Sequence, residues 1–284
     1  MKALITGGGG QLASDLAALL GGDARAFTRA DLDIRDERAL ERAYEEVAPD
    51  VVLNCAAFHN LGACEREPDR AWQVNVEAVR GLARRGVPLV HISTNYVFDG
   101  SRGEPYGEQD LPGPRSVYAL TKLAGEYAAL GYGTRPLVVR SAGLYGRHGS
   151  ASKGGNFVQR MLARARGGNA LRVVADQHLQ PTFTQDLAGA ILEAIDAGAE
   201  GVVHLTASGS CSWYEFTRAI MDQAGVEVPL EATATTGAAD GVERPLNGVL
   251  ARPRADALGL RPLRPWQDGL SDYLRSAGLT ARAA

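Results

Sequence analysis

A tyrosine and a lysine four residues apart, Tyr118 and Lys122 in the segment YALTK, have types and spacing that could do chemistry. On a helix, side chains at positions i and i+4 point to the same face. Alone, neither group is a good acid or base at neutral pH, because both titrate near pH ~10. An ammonium beside the tyrosine would lower the tyrosine pKa. The pair could then donate a proton to a carbonyl oxygen whose carbon receives hydride.

This spacing also occurs by chance in many helices, and an exposed amphipathic pair would explain it as well. The stretch HISTNYVFDG, residues 91–100, favours the chemical interpretation. It ends an apolar run at Thr94, where a hydroxyl could hydrogen-bond the same carbonyl oxygen. Ligands of open α/β sheets bind beyond the carboxyl ends of the strands. Thr94, Tyr118 and Lys122 are therefore the candidate catalytic residues.

A glycine-rich turn follows the first apolar run, in the segment TGGGGQLA. Glycine permits a tight turn and close approach of a pyrophosphate, and the next helix offers free N–H groups at its N-terminus. A flexible turn would explain the glycines alone. Here, however, a predicted strand precedes them and a predicted helix follows, as a dinucleotide site requires. Gly7 and Gly10 are therefore predicted to contact a dinucleotide cofactor.

The end of the second predicted strand bears on which nicotinamide cofactor binds. NAD sites commonly carry an acid there for the ribose 2′-hydroxyl, whereas an arginine suits a 2′-phosphate. This chain has Thr28 and Arg29 at that point, and Asp31 and Asp33 come later. We therefore expect NADPH to be preferred, with NADH as the alternative cofactor. A solvated surface position is the competing interpretation of Arg29.

These residues must be positioned by a regular succession of strands and helices. Short apolar runs alternate with stretches whose apolar residues recur at three and four, which indicates parallel β-α-β units. Because the runs are continuously apolar, the sheet is expected to be covered on both faces. The predicted fold class is α/β, a doubly wound parallel Rossmann sheet with a smaller C-terminal substrate-binding region.

The alternation loosens after about Gly143. Two long stretches there, YGRHGSASKGGN (145–156) and EATATTGAADGVERPLNG (231–248), are predicted to be loops at the lips of a substrate cleft. The NADP(H)-binding Rossmann domain is predicted to comprise residues 1–142, completed by roughly 183–206. The substrate-binding region is predicted to comprise 143–182 and 207–284.

The composition of the 284-residue chain excludes several function classes. The formal net charge of −3 gives no electrostatic reason to expect nucleic acid or a membrane surface. No apolar stretch approaches a membrane span or a signal peptide. Three cysteines without close pairing fit a reducing cytoplasm rather than a disulfide framework. No histidine pair has metal-ligand spacing, so no metal is predicted. Monomer and homodimer are both left open.

Almost end to end, the chain resembles the dTDP-4-dehydrorhamnose reductase family of the extended short-chain dehydrogenase/reductase superfamily. The glycine turn and YALTK are shared by the superfamily, whereas STNYVFDG, DQHLQPT and RPLNGVL are more specific. The resemblance implies a cytosolic enzyme that reduces the C4 ketone of a nucleotide-linked deoxysugar, with Thr94, Tyr118 and Lys122 as its triad. The positions that it matches to the cofactor are Gly10, Gln11, Leu12, Asp33, Ile34, Ala56, Ala57 and Phe58, and those on the nucleotide-sugar side are Asn156, Phe157 and Arg244.

Departures from the family pattern cluster where the sugar should sit. Asn95 stands where the family carries an acid, Gly143 where it carries tryptophan, and Leu179 where it carries glycine. The segment FHNLGACE (58–65) differs as well. Loss of a tryptophan removes a packing surface of about 200 Å², and loss of the acid removes a charged hydrogen-bond acceptor. Thr94, Asn95 and Gly143 are therefore predicted to face a substrate that differs from the family's usual sugar.

Three other functions remain open beside a 4-keto reductase of a nucleotide sugar. The chain could reduce a different carbonyl substrate, or act as a nucleotide-sugar 4-epimerase, which uses this fold and triad with a tightly held NAD. It could also be a non-catalytic cofactor-binding subunit, since fold does not fix function. The sequence blocks favour the reductase, and the complete triad argues against a non-catalytic subunit.

Overall fold

A computed structural model describes residues 1–148, 154–236 and 241–280 of the chain. In chain order, its strands are β1 (Ala3–Thr6), β2 (Ala24–Phe27), β3 (Val51–Asn54), β4 (Leu89–Thr94), β5 (Leu137–Ser141), β6 (Leu171–Val174), β7 (His178–Leu179), β8 (Gly201–His204), β9 (Cys211–Ser212) and β10 (Leu230–Thr233). Six of them form one parallel sheet in the order β2-β1-β3-β4-β5-β8.

Helices follow most of the strands of this sheet. In chain order they are α1 (Gln11–Leu20), α2 (Glu37–Val47), α3 (Leu61–Arg66), α4 (Pro68–Trp72), α5 (Ala78–Ala83), α6 (Val117–Tyr132), α7 (Phe157–Arg166), α8 (Thr184–Asp196), α9 (Trp213–Ala224), α10 (Pro253–Ala257) and α11 (Trp266–Ser276). Even α6, with 16 residues, is shorter than the ~20 residues that a membrane span needs. Within the described ranges, no helix is both long and apolar enough to cross a bilayer.

Both faces of the main sheet are covered, because successive strand residues point to opposite sides. On one face, the buried Ala3 and Ile5 of β1 pack in one core with Leu16 of α1. On the other face, the buried Leu4 packs in a second core with Leu40 of α2. This confirms the predicted α/β class with a doubly wound parallel Rossmann sheet.

A third, aromatic-rich core lies among α7, α9 and α11. The ring centroids of Tyr145 and Phe183 are 5.8 Å apart, and those of Phe216 and Trp266 are 5.7 Å apart. Two short sheets border this core, one formed by the parallel pair β6 and β10 and one by the antiparallel pair β7 and β9. The division of the chain into two regions at the predicted boundaries stays a prediction.

The prediction of one continuous loop over 231–248 was wrong at its beginning. Leu230–Thr233 forms β10, in which Leu230 pairs with Leu171 and Thr233 with Val174 of β6. A four-residue strand with only two apolar residues has too short a pattern to stand out in the sequence. Residues 149–153 of the other predicted loop, and 237–240 of this one, lie outside the described residues.

Candidate active site

The carboxyl ends of the main strands open into one cavity of about 1120 Å³. That volume exceeds the ~300–1,000 Å³ typical of a site for a single small ligand, so it has room for a cofactor and a substrate. The structure brings all the residues proposed from the sequence into its lining, namely Gly7, Gly10, Gln11, Leu12, Arg29, Asp33, Ile34, Ala56, Ala57, Phe58, Thr94, Asn95, Tyr118, Lys122, Gly143, Asn156, Phe157 and Arg244. Their individual roles stay predictions.

The turn between β1 and α1 forms a backbone cradle that only glycine can build. Gly7 has φ 71°, in the left-handed region, and a Cβ there would lie 2.9 Å from the backbone nitrogen of Ala56. Nothing lies within 4 Å of the position where a Cβ of Gly9 would stand. The side-chain oxygen of Gln11 is buried and has no hydrogen-bond partner among the described residues. A close, donor-rich turn of this kind fits the pyrophosphate of a dinucleotide.

The acids that follow β2 are engaged by neighbouring residues. Arg35 Nε donates to Asp33 Oδ1 at 2.9 Å, and this hydrogen bond is the main reason why the pKa of Asp33 is lowered to about 2. The Thr28 hydroxyl donates to Asp31 at 2.6 Å. Arg29 is exposed at the cavity and has no ion-pair partner in the described part of the chain. This end of the cavity therefore offers a cation, as a 2′-phosphate would require.

Lys122 is supported by a row of polar side chains that the sheet register lines up. The register sets Thr6 opposite Asn54 and Asn54 opposite His91. Thr6 Oγ1 lies 2.6 Å from Asn54 Oδ1, and Asn54 Nδ2 lies 3.0 Å from His91 Nδ1. His91 Nε2 lies 3.1 Å from Lys122 Nζ, which also donates to the carbonyl oxygen of Ile92 at 2.6 Å. The lysine is therefore held in one place by strand β4.

Burial lowers the pKa values of both Lys122 and His91. Burial lowers the pKa of Lys122 to about 8, against the opposing effect of the negative charge of Glu126. Burial, followed by the charge of Lys122, lowers the pKa of His91 well below its usual range. At neutral pH, Lys122 is thus mainly an ammonium and His91 is neutral. Since an ammonium can only donate, Nε2 of His91 is the acceptor for Lys122 when the lysine is charged.

Tyr118 lies in the first turn of α6, whose N-terminus is fixed by two side chains. Ser116 Oγ accepts from the backbone N–H of Ala119 at 3.2 Å, as a helix N-cap does. Glu65, at the end of α3, accepts from the backbone N–H of Val117 at 2.8 Å. The residue immediately before the tyrosine is therefore tied to another wall of the cavity.

The protonation of Tyr118 differs from the expectation drawn from the sequence. Burial raises the pKa of Tyr118, and a hydrogen bond with Thr94 opposes that shift. Lys122 is not among the groups that shift it, because the ammonium lies against His91 and Ile92. The expected lowering of the tyrosine pKa by the lysine is therefore wrong for this structure. Tyr118 stays protonated at neutral pH, which is the form that a proton donor needs.

Asn95 lines the cavity, but its amide is engaged by the protein. Nδ2 donates to the carbonyl oxygen of Gly248 at 3.0 Å, and Oδ1 accepts from Thr94 Oγ1 at 3.3 Å. A Cβ on Gly248 would lie 2.2 Å from Asn95 Nδ2, so glycine leaves the space that this amide fills. Asn95 therefore fastens the end of β4 to the segment around Gly248 and orients the Thr94 hydroxyl.

The three residues placed on the nucleotide-sugar side have different surroundings. Asn156 caps α7 by accepting from the backbone N–H of Gln159 at 2.9 Å, and its Nδ2 donates to Gly146 O at 2.7 Å. Phe157 faces Trp213 at a ring-centroid distance of 4.4 Å. Arg244 donates to the carbonyl oxygen of Val242 at 3.0 Å. The Asn156 side chain thus builds the wall, while the aromatic pair offers a flat apolar surface.

Several lining residues were not identified from the sequence. Trp213 and Arg160 lie at the aromatic end of the cavity, and Tyr96 meets the Tyr118 ring edge-on at 6.0 Å. A single aromatic residue at the start of a helix carries no periodic pattern that would reveal it. His91, which contacts Lys122 but does not line the cavity, was also missed, although a histidine inside an apolar run is a detectable signal. Within the described ranges, no group of three or more His, Cys, Asp or Glu could hold a metal ion.

Comparison with known proteins identifies relatives along almost the whole chain. The profile of the family described as RmlD substrate binding domain matches residues 1–278. The spore coat polysaccharide biosynthesis protein SpsK of Bacillus subtilis is 37% identical over 281 residues, which cover 96% of this chain and 97% of that protein. The dTDP-4-keto-6-deoxy-D-glucose reductase of Streptomyces niveus is 37% identical over 280 residues, which cover 94% of each.

Solved structures show the same similarity in three dimensions. The crystal structure of dTDP-4-dehydrorhamnose reductase from Bacillus anthracis in complex with NADP superposes with a TM-score of 0.92. The two sequences are 30% identical, and the match covers 97% of this chain and 100% of that one.

Proposed function

Because the chain belongs to the dTDP-4-dehydrorhamnose reductase family, we propose that it reduces the 4-keto group of a nucleotide-linked deoxysugar with NADPH. The observation that carries this proposal is the single cavity that holds the glycine cradle at one end and Tyr118, Lys122 and Thr94 at the strand ends. A cofactor site and a proton donor within one cavity are what carbonyl reduction by hydride transfer requires.

The cofactor end of the cavity supports NADPH. Gly7, Gly10 and Gln11 would hold the pyrophosphate at the N-terminus of α1, and the Arg29 guanidinium would face the 2′-phosphate. Lys122 would hydrogen-bond the nicotinamide ribose. When bound there, NADPH supplies the hydride that goes to the ketone carbon.

The protein's own groups supply the proton. Tyr118 donates its phenolic proton to the C4 oxygen as the carbon–oxygen double bond becomes a single bond, which leaves a tyrosinate. The hydroxyl of Thr94 hydrogen-bonds the same oxygen. The Lys122 ammonium is fixed by His91 and Ile92, so its part in the step is to hold the ribose of the cofactor in place rather than to lower the tyrosine pKa. Solvent then returns a proton to Tyr118 for the next turnover.

The other end of the cavity supports a nucleotide group on the substrate. Phe157 and Trp213 offer an apolar aromatic surface on which a base could pack. Arg160 and Arg244 bring positive charge to the same lining, as a diphosphate requires. A small free carbonyl compound would be too short to contact these groups as well as Tyr118, so a nucleotide-linked sugar fits the lining better.

Removal of one hydroxyl tests the proposal. Tyr118→Phe should lower NADPH-dependent turnover of dTDP-4-dehydrorhamnose by roughly 10²–10⁴-fold, the contribution of a general acid, and leave the Kd for NADPH near the wild-type value. Tyr127→Phe is the matched control, because Tyr127 is an exposed tyrosine on the same helix. Undiminished turnover in Tyr118→Phe would contradict the assignment of the proton donor.

Product analysis separates the reductase from the 4-epimerase. A reductase consumes one NADPH for each alcohol formed, whereas an epimerase returns an isomer of its substrate and consumes no added cofactor. Isomerisation of a nucleotide sugar without NADPH oxidation would therefore favour the epimerase. A cofactor-loaded protein that is inert toward every nucleotide ketosugar and other carbonyl compound would favour a non-catalytic subunit.

A further inference from the structure

Gly143 can take a side chain only if Leu179, which fills the adjoining space, moves. Its φ of 57° lies in the left-handed region that favours glycine. A Cβ at this position would stand 2.7 Å from Leu179 Cδ1 and 3.1 Å from Pro181 Cα. The first distance is shorter than real Cβ contacts, so Leu179 occupies the space beside Gly143. The residues accepted at positions 143 and 179 are therefore interdependent.

Short series of backbone and hydrogen-bond contacts connect both residues to the candidate catalytic threonine. Gly143 comes two residues after Ser141, which pairs with Thr94 in the main sheet. From the other side, the carbonyl oxygen of His178, the neighbour of Leu179 in β7, accepts from the backbone N–H of Gly248 at 2.8 Å. Gly248 in turn accepts from Asn95, the neighbour of Thr94, at 3.0 Å.

Leu179 is held firmly in this position. It pairs with Cys211 in the antiparallel sheet of β7 and β9, it is 5% exposed, and it lines the cavity together with Gly143. The side chain is aliphatic, so it offers a substrate shape but no hydrogen bond. The two departures at these positions noted in the sequence are thus neighbours in the fold, with the Leu179 side chain filling the space beside Gly143.

We propose that Gly143 and Leu179 act as one specificity-determining pair, in which Leu179 gives the ketosugar an aliphatic wall in the space that a side chain at position 143 would otherwise fill. The proposal rests on the proposed reductase function. A change of one methylene or one hydroxyl against an apolar wall alters substrate discrimination by about 10- to 200-fold, so truncation of Leu179 should be visible in the choice between closely related sugars.

The structural half of the proposal is tested by the unfolding temperatures of Gly143→Ala, Leu179→Ala and the double variant. Gly86→Ala is the matched control, because Gly86 also has a positive φ (74°) but nothing within 4 Å of its Cβ position. Gly143→Ala should lower the Tm more than Gly86→Ala does. In the Leu179→Ala background, the loss should shrink toward the size seen for Gly86→Ala, since the clash with Leu179 Cδ1 is removed while the contact with Pro181 Cα and the backbone strain remain. Strictly additive losses would contradict the interdependence.

The functional half is tested with two named probes, dTDP-4-dehydrorhamnose and dTDP-4-keto-6-deoxy-D-glucose. Leu179→Ala should change the ratio of their kcat/KM values by about tenfold or more, with the KM for NADPH unchanged. If the wild type is active and Leu179→Ala shows the same ratio of kcat/KM values, Leu179 does not determine specificity. That result would leave the proposed reductase function standing. A wild type inert toward both sugars would instead count against the reductase function, and the Tm cycle would still report on the pair.

Discussion

The ammonium nitrogen of Lys122 lies 3.1 Å from Nε2 of His91, and both side chains are buried beneath the cavity. The contact continues a polar row that crosses the sheet from Thr6 through Asn54. Because buried polar groups must be paired, this row fixes the lysine in position. The partner of the ammonium in this row is a neutral imidazole and not a carboxylate. Because a neutral group stabilises the ammonium less, burial lowers the lysine pKa.

The first prediction concerns the alkaline limb of the pH profile. Lys122 needs its third ammonium proton to donate to the nicotinamide ribose, because His91 and Ile92 take the other two, and the pKa of Lys122 is lowered to about 8. The raised pKa of Tyr118 keeps its proton in place over the same range. We therefore expect kcat/KM to fall as the pH rises through about 8, which initial rates from about pH 6 to about pH 10 would show. A constant value across that interval would refute the link to Lys122.

The second prediction concerns His91 as a positioning residue. Leucine at this position removes an acceptor from the Lys122 ammonium, while Glu126 and Cys55, which favour its charged form, remain. The pKa of Lys122 should therefore fall further, and the alkaline limb should move to lower pH in His91→Leu. In His91→Gln, an amide oxygen can still accept, so the profile should return toward the wild type. Equal loss of activity at every pH in both variants would indicate a purely structural role.

The third prediction concerns Arg29 and the cofactor. A charged hydrogen bond contributes about 1.5–3 kcal/mol, so Arg29→Ala should raise the KM for NADPH roughly 10- to 100-fold and leave that for NADH nearly unchanged. Arg38→Ala is the matched control, because it removes an exposed arginine on nearby α2 that does not line the cavity. Steady-state kinetics with each cofactor provides the test. An unchanged NADPH/NADH ratio would mean that Arg29 is a solvated surface residue.

The catalytic residues could be predicted from the sequence because their signals are local. Tyr118 and Lys122 are four residues apart on one helix, and Thr94 ends an apolar run. These two local patterns were enough to predict that the three residues meet at the strand ends. The His91–Lys122 contact depends on how β4 packs against α6, and the Asn95–Gly248 hydrogen bond joins residues 153 positions apart. No local pattern reports such contacts. For the same reason, Gly143 and Leu179 appeared in the sequence as separate departures, and only the fold joins them.

The fourth prediction concerns Asn95, which stands where the resembling family carries an acid. Asn95→Asp replaces the donor to the Gly248 carbonyl by a second acceptor at a 4% exposed position. The buried carboxyl should have a raised pKa in the folded protein, so it is neutral at low pH, and its cost to folding grows as the pH rises from the unfolded-state pKa of about 4 toward that raised value. We expect a loss of about 1–3 kcal/mol at low pH and a larger loss at higher pH.

Denaturant unfolding of this variant at several pH values measures the effect. Asn95→Ala is the control, because it loses the hydrogen bonds with both Gly248 and Thr94 without adding a titrating group, and its loss of stability should not depend on pH. If Asn95→Asp and Asn95→Ala show the same pH dependence, the contact with Gly248 does not control this position.

The fifth prediction concerns Glu65, which joins two walls of the site. Its carboxylate accepts from the N–H of Val117 at 2.8 Å, one residue before Tyr118, and an acid at a helix N-terminus also meets the positive end of the helix dipole. Glu65→Ala removes both contributions, at a cost of about 1 kcal/mol for the lost cap, and frees the first turn of α6. Turnover should therefore fall more than the small loss of stability would explain, because the tyrosine must meet the ketone oxygen within hydrogen-bond distance.

Glu65→Gln keeps an acceptor and should retain most of the activity, measured as kcat with saturating NADPH. If the Tm falls equally in both variants while kcat stays at the wild-type value, Glu65 stabilises α6 without positioning Tyr118.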